Sequence, residues 1–194
     1  TAVVTIKVFD SELDKHFLVE LDMRQLADGT WQITRINNLQ TLISERDQAF
    51  QNKLAELNKP VQKHIDDAIT VTPQKIFITS APYSGVIRLL QADLQLTNNA
   101  AKELQYFTGV LELYNADNEL FYSGNFASSK KLAAAQTQAY QFNWELNPFL
   151  TDDAKVMNSD FSKVTWKASL SSLTFADGST IELLTQLPVK TKTK

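Results

Sequence analysis

The chain has 194 residues, a formal net charge of −3 and a composition with 43% hydrophobic and 21% charged residues. This balance is typical of a globular protein that can bury a core, and it excludes an intrinsically disordered chain. The weakly acidic charge argues against nucleic-acid binding, which needs a basic surface, and the absence of cysteine excludes disulfides, thiolate nucleophiles and cysteine-ligated metals.

The start of the chain suggests that the sequence is part of a longer protein, and its C-terminal end suggests a flexible tail. It begins at Thr1 and runs at once into a strand-like sequence, so we expect an N-terminal anchor or signal segment upstream. Residues 188–194 carry Lys190, Lys192 and Lys194, the only basic cluster, and we interpret them as a flexible tail. No apolar run approaches the roughly 18 residues of a membrane span.

Residues 1–37 show the alternating pattern of a three-stranded β-meander. Asp28-Gly29 is a strong hairpin sequence because both residue types tolerate a positive φ. Three strands cannot close a core alone, so we expect this segment to complete a truncated N-terminal domain or to pack on the rest of the chain. The apolar residues of the three predicted strands are Val4, Ile6, Val8, Phe17, Val19, Leu21, Trp31, Ile33 and Ile36.

Residues 38–70 change to the spacing of a helix and predict a helical connector. Asn38 is the candidate N-cap, and Pro60 must either kink one helix or begin a second, of which we favour two helices in near-continuous line. A coiled-coil pairing surface, and so a homo-oligomer, is the functional alternative for this apolar face. The face consists of Leu39, Leu42, Ile43, Phe50, Leu54, Leu57, Val61, Ile65 and Ile69.

Residues 71–187 return to strands, which turn sequences separate at short intervals. Seven such strands predict an antiparallel, immunoglobulin-like β-sandwich, so the expected fold class of the whole chain is α+β. The predicted strands are 74–80, 85–98, 104–115, 119–127, 137–147, 162–176 and 179–186. The residues expected between the two sheets are Leu94, Leu96, Val110, Leu113, Phe142, Trp144, Trp166 and Leu170.

One stretch of this region resembles a known family. Leu111-Glu112-Leu113-Tyr114-Asn115, followed by the turn 116–118, resembles the signature of FxLYD domains of prokaryotic envelope proteins. Leu111 stands where the family usually has Phe, and Asn115 where it usually has Asp. The sequence 94–99 resembles the opening of that domain and 175–179 its closing Asp-Gly hairpin, so the resemblance extends over residues 73–187.

A second resemblance lies in residues 1–37. The strand Gly29-Thr30-Trp31-Gln32-Ile33 is similar to the end of an uncharacterised family of short, membrane-anchored bacterial proteins. Together the two resemblances imply an envelope protein in the bacterial periplasm or at the cell surface, anchored through a segment outside this sequence. Neither resemblance implies a catalytic site.

The residues that could carry acid–base or metal chemistry do not form a recognisable motif. His64 lies three residues before Asp67, but no nucleophile elbow accompanies them, and His16 is distant in sequence. The oxygen-rich loop from Asp152 to Asp160 lacks the spacing of a calcium loop, and the five glycines form no phosphate-binding loop. We therefore predict no catalytic residue, no metal site and no cofactor, with a solvated loop as the interpretation of 152–160.

The best candidate for a binding site is a pair of aromatic dipeptides. Tyr106-Phe107 and Phe121-Tyr122 each place two rings on opposite faces of a predicted strand, so one ring of each pair should lie outside the core unless something covers it. An exposed aromatic patch suits a protein partner. We interpret the chain as a non-enzymatic binding or scaffolding module of the bacterial envelope, with a homo-oligomer built through the helix, or a hydrolase using His64, Asp67 and the Asp152 loop, as alternatives.

Overall fold

The computed structural model describes residues 1–188, and the predicted lysine cluster of the tail lies outside them. The fold is α+β, as predicted: antiparallel sheets with one long helix, α1 (Leu39–Ala68), and one short helix, α2 (Thr151–Met157). The chain divides into two compact units. The first is Thr1–Lys59 with Leu184–Lys194, and the second is Pro60–Leu183, so that α1 contributes residues to both.

The first unit contains the predicted meander. Strands β1 (Ala2–Asp10), β2 (Lys15–Gln25) and β3 (Trp31–Ile36) form an antiparallel sheet in that order. The Asp10 carboxylate accepts the backbone N–H groups of Glu12 and Leu13, both at 3.0 Å, and so closes the first hairpin. Gly29 closes the second hairpin at φ 84°, a conformation that favours glycine.

One face of this sheet forms the core of the first unit. Phe17 on β2 and Leu13 in the first hairpin are buried together with Leu187 from the C-terminal segment. The N-terminal half of α1 packs on them through one side of the helix, namely Leu42, Ala49, Phe50 and Leu54. The helix thus covers apolar surface that three strands cannot bury by themselves.

Helix α1 runs unbroken through Pro60, so the prediction of two helices is wrong. Proline removes the N–H that would bond to the carbonyl of Glu56, which usually kinks or ends a helix. Here both residues lie on the exposed side of α1, where water can hydrate the freed carbonyl. The apolar face continues on either side of the proline, because packing in each unit holds it in helical register.

Asn38 lies at the start of α1, but its side chain forms hydrogen bonds with the backbone of the sheet. Its backbone carbonyl accepts the Leu42 N–H at 2.8 Å, which is the first helical bond. The side-chain oxygen accepts the Glu20 N–H at 3.0 Å and the amide donates to the Leu18 carbonyl at 2.8 Å. Asn38 therefore satisfies the β2 backbone beyond the end of β3 and ties the helix start to the sheet.

The second unit contains seven strands in two sheets, together with α2. One sheet has the order β4-β5-β8 and the other β10-β9-β6-β7, and all neighbours are antiparallel. The seven strands agree with the predicted positions within a few residues, except that β4 begins directly after α1 and β10 is short. They are β4 (Ile69–Ser80), β5 (Arg88–Asn98), β6 (Leu104–Tyr114), β7 (Leu120–Ser128), β8 (Thr137–Leu146), β9 (Thr165–Phe175) and β10 (Thr180–Glu182).

A single hydrophobic cluster joins the two sheets of this unit. Its centre is aromatic: Phe107 meets the rings of Phe126, Tyr140 and Phe142 at centroid distances of 6.5, 5.2 and 6.3 Å. Of the predicted core residues, Leu94, Leu96, Leu113 and Leu170 are fully buried, and Phe142, Trp144 and Trp166 pack partly buried against the cluster. The prediction for Val110 is wrong, because Leu111 and Leu113 face inward and strand alternation turns Val110 to the outer face.

The prediction of a solvated loop at residues 152–160 is also partly wrong, since α2 occupies Thr151–Met157. Asp152 and Asp153 lie in its first turn and Lys155 in its last, which suits the helix dipole. Val156 is buried and the adjacent Met157 packs partly buried against the hydrophobic cluster, so these two side chains hold the helix rather than an apolar stripe along it. Seven residues are too few for that periodicity to show in the sequence.

Candidate functional site

The first aromatic pair behaves as strand alternation predicts. Phe107 is fully buried at the centre of the core, and Tyr106 points outward and is exposed. Phe107 is therefore unavailable to a partner in the folded state. Tyr106 lies on β6 beside a polar outer face, where the Thr108 hydroxyl hydrogen bonds to the hydroxyls of Ser171 and Ser172.

The second pair, Phe121 and Tyr122, is half-buried at the start of β7 beside α2. Burial, followed by the nearby charge of Asp153, raises the pKa of Tyr122 to about 12. The phenol thus remains protonated in an environment that disfavours its charge. Both rings pack partly buried against the hydrophobic cluster of this unit, and the short helix that the sequence did not predict contacts β7 beside them, so neither ring stands free as an aromatic patch.

Five large apolar side chains instead lie exposed at one end of the second unit. The pairing of Arg88 with Leu146 brings the loop before β5 and the turn after β8 to the same end, and the Tyr83 hydroxyl donates to the Glu145 carboxylate between them. We call this group the apolar end. It consists of Tyr83, Val86, Phe149 and Leu150, and of Leu120, which lines a groove together with Asp152 and Asp153 at the start of α2.

Phe149 is the most exposed of these residues, with 85% of its surface accessible, and Tyr83 has 67%. The turn that presents Phe149 is well defined, because the Asn147 side-chain oxygen accepts the Phe149 N–H at 3.0 Å and the Leu150 N–H bonds to the Asn147 carbonyl at 3.0 Å. An exposed aromatic ring held on an ordered turn loses little conformational entropy when a partner covers it.

Shallow grooves flank α2 beside the apolar end. One is lined by Leu120, Phe121, Tyr122, Ser123, Asp152 and Asp153, and another by residues that include Phe121, Lys155 and Lys163. Both are lined by apolar and charged side chains together. The two lysines are paired with nearby carboxylates, Lys155 with Asp152 at 2.9 Å and Lys163 with Asp160 at 3.3 Å. Protein-binding surfaces usually combine an apolar centre with polar residues around it.

The histidines and carboxylates that were considered for catalysis make other contacts. The Lys63 ammonium group forms an ion pair with the Asp67 carboxylate at 2.6 Å. No hydrogen bond joins Asp67 to His64 within residues 1–188. His16 stacks at a tilt on Phe9, with ring centroids 4.9 Å apart. These side chains therefore do not combine into a nucleophile–base pair in the part of the chain that the structure describes.

The carboxylates near α2 are used to build local structure. Asp153 accepts the Asn147 N–H at 2.9 Å, and Asp160 accepts the N–H and hydroxyl of Ser162 at 3.1 and 2.7 Å. These bonds, and the nearby Lys163, lower the pKa of Asp160. No group of three or more potential metal ligands converges among the described residues.

Sequence reasoning missed the apolar end. Phe149 and Leu150 follow Asn147-Pro148, a turn sequence, and an aromatic residue in such a turn is the one indication that could have pointed to it. Tyr83 and Val86 likewise lie within or beside a Pro-Tyr-Ser-Gly turn. None of residues 1–188 belongs to a helix that combines the length and the hydropathy needed to cross a bilayer.

No family model matches the chain, and no curated protein matches it. Solved structures resemble parts of it at low identity. A Northeast Structural Genomics Consortium target is 12% identical, with a TM-score of 0.38 over 60% of this chain and 80% of that one. The putative ApaA protein from Bordetella pertussis is 11% identical, with a TM-score of 0.32 over 60% and 88%. A protein from Archaeoglobus fulgidus is 12% identical, with a TM-score of 0.32 over 55% and 86%, and these likenesses carry no argument about function.

Proposed function

We propose that the chain is a non-enzymatic binding module of a bacterial envelope protein, and that its second unit is an immunoglobulin-like sandwich of the FxLYD kind. The strand orders β4-β5-β8 and β10-β9-β6-β7 support the sandwich, since seven antiparallel strands in two sheets around one core are its basic plan. The periplasmic or surface location, with an anchor outside this sequence, rests on the resemblance of the sequence alone.

The behaviour of Asn115 supports the family proposal despite its departure from the usual Asp. Its side-chain oxygen accepts the N–H groups of Asp117 and Glu119, at 3.0 and 2.9 Å, and so closes the turn between β6 and β7. A carboxylate oxygen would accept the same two bonds. Leu111 is buried where the family has Phe, which keeps an apolar side chain at that core position.

The observation that carries the binding function is the apolar end. It gathers five exposed apolar side chains, most of them on loops, where binding residues are typically placed by a rigid scaffold. Aromatic anchors such as Phe149 and Tyr83 contribute most of the energy in many protein interfaces. The partner that fits is a protein with a complementary apolar pocket.

Site-specific photocrosslinking tests this proposal. A photoreactive amino acid placed at position 149 should capture a discrete protein partner in cells of the source bacterium. The matched control is position 176. Ala176 is exposed on the hairpin between β9 and β10, which lies at the end of those strands opposite to the apolar end. The captured protein is then purified, and its affinity for the wild-type chain is measured by calorimetry.

We expect Phe149→Asp to weaken binding of that purified partner about thirtyfold or more, since removing an aromatic anchor costs about 2 kcal/mol or more. Ala176→Asp should leave the affinity unchanged. Equal crosslinking at the two positions, or a partner whose affinity ignores Phe149→Asp, would contradict the assignment of the apolar end as the binding surface.

A further inference from the structure

We propose that strand β1 pairs with β1 of a second copy of this chain, antiparallel and around a two-fold axis at Ile6. This surface belongs to the first unit and is independent of the apolar end. Within the described residues β1 is an edge strand, because its one neighbour in the sheet is β2. It is nine residues long, contains neither proline nor glycine, and pairs with β2 without a register shift.

Such an edge is a template for another strand unless it is blocked. The opposite edge of the same sheet is shorter and less regular: β3 has six residues, and a bulge interrupts its pairing with β2 at Asp22 and Met23. Strand β1 is longer and regular, and it carries one charged side chain in its middle, Lys7, which a partner strand has to accommodate. It also exposes apolar side chains on both faces, with Val3 70% and Phe9 50% accessible on one face and Ile6 41% and Val8 44% on the other.

The sequence of β1 is self-complementary in polarity. When the full strand Ala2–Asp10 pairs with its copy, its midpoint Ile6 lies on the axis and faces the second Ile6. Val4 then faces Val8, and Val3 faces Phe9. Every exposed apolar residue of β1 thus meets an apolar residue of the other copy, which is the self-complementarity that an isologous two-fold interface requires.

The charged residues of the sheet favour this register, and they favour a second copy of the chain as the partner strand. In the full-length register Lys7 faces Thr5, whereas a shift of two residues that centres the axis on Lys7 would oppose two lysines. Thr5 lies opposite Glu20 on β2. The strand that carries Thr5 therefore lies between Lys7 of one copy and Glu20 of the other, and the backbones of these two residues are about 9.6 Å apart. The side chains of Lys7 and Glu20 are long enough to meet over the short side chain of Thr5. Neither Lys7 nor Glu20 makes an ion pair within residues 1–188.

Sedimentation equilibrium measures the dimer directly. The 194-residue protein should associate reversibly to a dimer, and Thr5→Lys should weaken that dimer about tenfold, because it opposes two lysines twice per interface. The double variant Thr5→Lys/Lys7→Glu should restore association, since opposite charges then face each other. Gln40→Lys adds the same charge at an exposed helix position and should change nothing.

Disulfide trapping tests the register, because the chain has no cysteine of its own. Residues directly opposite in an antiparallel pair have Cα atoms about 4.5–5.5 Å apart, within disulfide range, so Ile6→Cys should form a covalent dimer under mild oxidation. Val3→Cys should not, since the register separates the two introduced thiols by about six residues, or about 20 Å. A monomer at high concentration, or trapping by Val3→Cys in place of Ile6→Cys, would overturn the proposal.

Discussion

Replacing Gly109 by alanine tests whether the close packing of β6 against its neighbours holds the core of the second unit. A methyl group at this position would overlap the ring of Phe126 and would lie 2.5 Å from the backbone oxygen of Ser169 on β9. An ordinary carbon–oxygen contact is about 3.3 Å, so the β9 backbone would have to move by about 0.8 Å. Phe107 and Phe142 contact the Phe126 ring and restrict the directions in which it can turn.

The expected cost is the difference between two opposing effects. Forcing one methyl group into a well-packed core costs about 3 kcal/mol when backbone must move. Alanine recovers up to about 1 kcal/mol, because glycine loses more backbone entropy on folding. Gly109→Ala should therefore lower the free energy of unfolding by about 2 kcal/mol. In urea titrations followed by tryptophan fluorescence, that loss lowers the unfolding midpoint by about 1 M.

Two other glycines provide matched controls. Alanine at Gly124 would lie 2.7 Å from Nε1 of Trp144 and would overlap only that side chain, so a smaller loss of about 1 kcal/mol is expected. Alanine at Gly85 meets no atom within 4 Å and should not destabilise the protein. If Gly109→Ala unfolds within about 0.5 kcal/mol of Gly85→Ala, the sheets tolerate local expansion and the reasoning is refuted.

Three further changes probe polar groups of the second unit. Asn98 is fully buried and donates to the backbone oxygens of Lys102 and Leu132 at 2.8 and 2.9 Å, so Asn98→Leu should lower the unfolding free energy by about 3 kcal/mol in urea titrations. Trp144→Phe removes the indole N–H bond to the Asn125 carbonyl on β7, 2.7 Å long, and should cost about 1–2 kcal/mol by circular dichroism. Burial raises the Tyr122 pKa from 10.0 to about 12. The stability that this neutral phenol contributes is therefore present below pH 10 and is lost between about pH 10 and 12. Tyr122→Phe should remove the component with the highest pKa from an absorbance titration at alkaline pH.

Much of the fold could be predicted because it depends on short-range patterns. Alternating apolar residues located the strands of both units, and Asp28-Gly29 located a hairpin. The errors arose where tertiary contacts decide. Packing on both sides keeps α1 continuous at Pro60, and α2 is too short to show helical periodicity. Val110 was misassigned because an apolar residue alone does not reveal which face of a strand is buried.

The candidate site was harder to predict for the same reason. Alternation correctly placed one ring of Tyr106-Phe107 outside the core, yet nothing in the sequence shows that Phe121 and Tyr122 are both half-buried beside α2. The exposure of Phe149 depends on which loops share one end of the strands, and the register of β5 with β8 determines that arrangement. Strand pairing between distant segments is therefore the information that a single sequence lacked.

The polarity of β1, by contrast, was readable from the sequence, and so was its place as the first strand of a meander; the exposure of its side chains and its register with β2 came from the structure. The two proposed surfaces are separable, because they belong to different units and use different chemistry. Thr5→Lys should weaken the dimer and leave crosslinking at position 149 unchanged, whereas Phe149→Asp should weaken binding of the purified partner and leave the dimer unchanged. If Phe149→Asp abolished the dimer, self-association would run through the apolar end, and the long, regular edge of β1 would need another explanation.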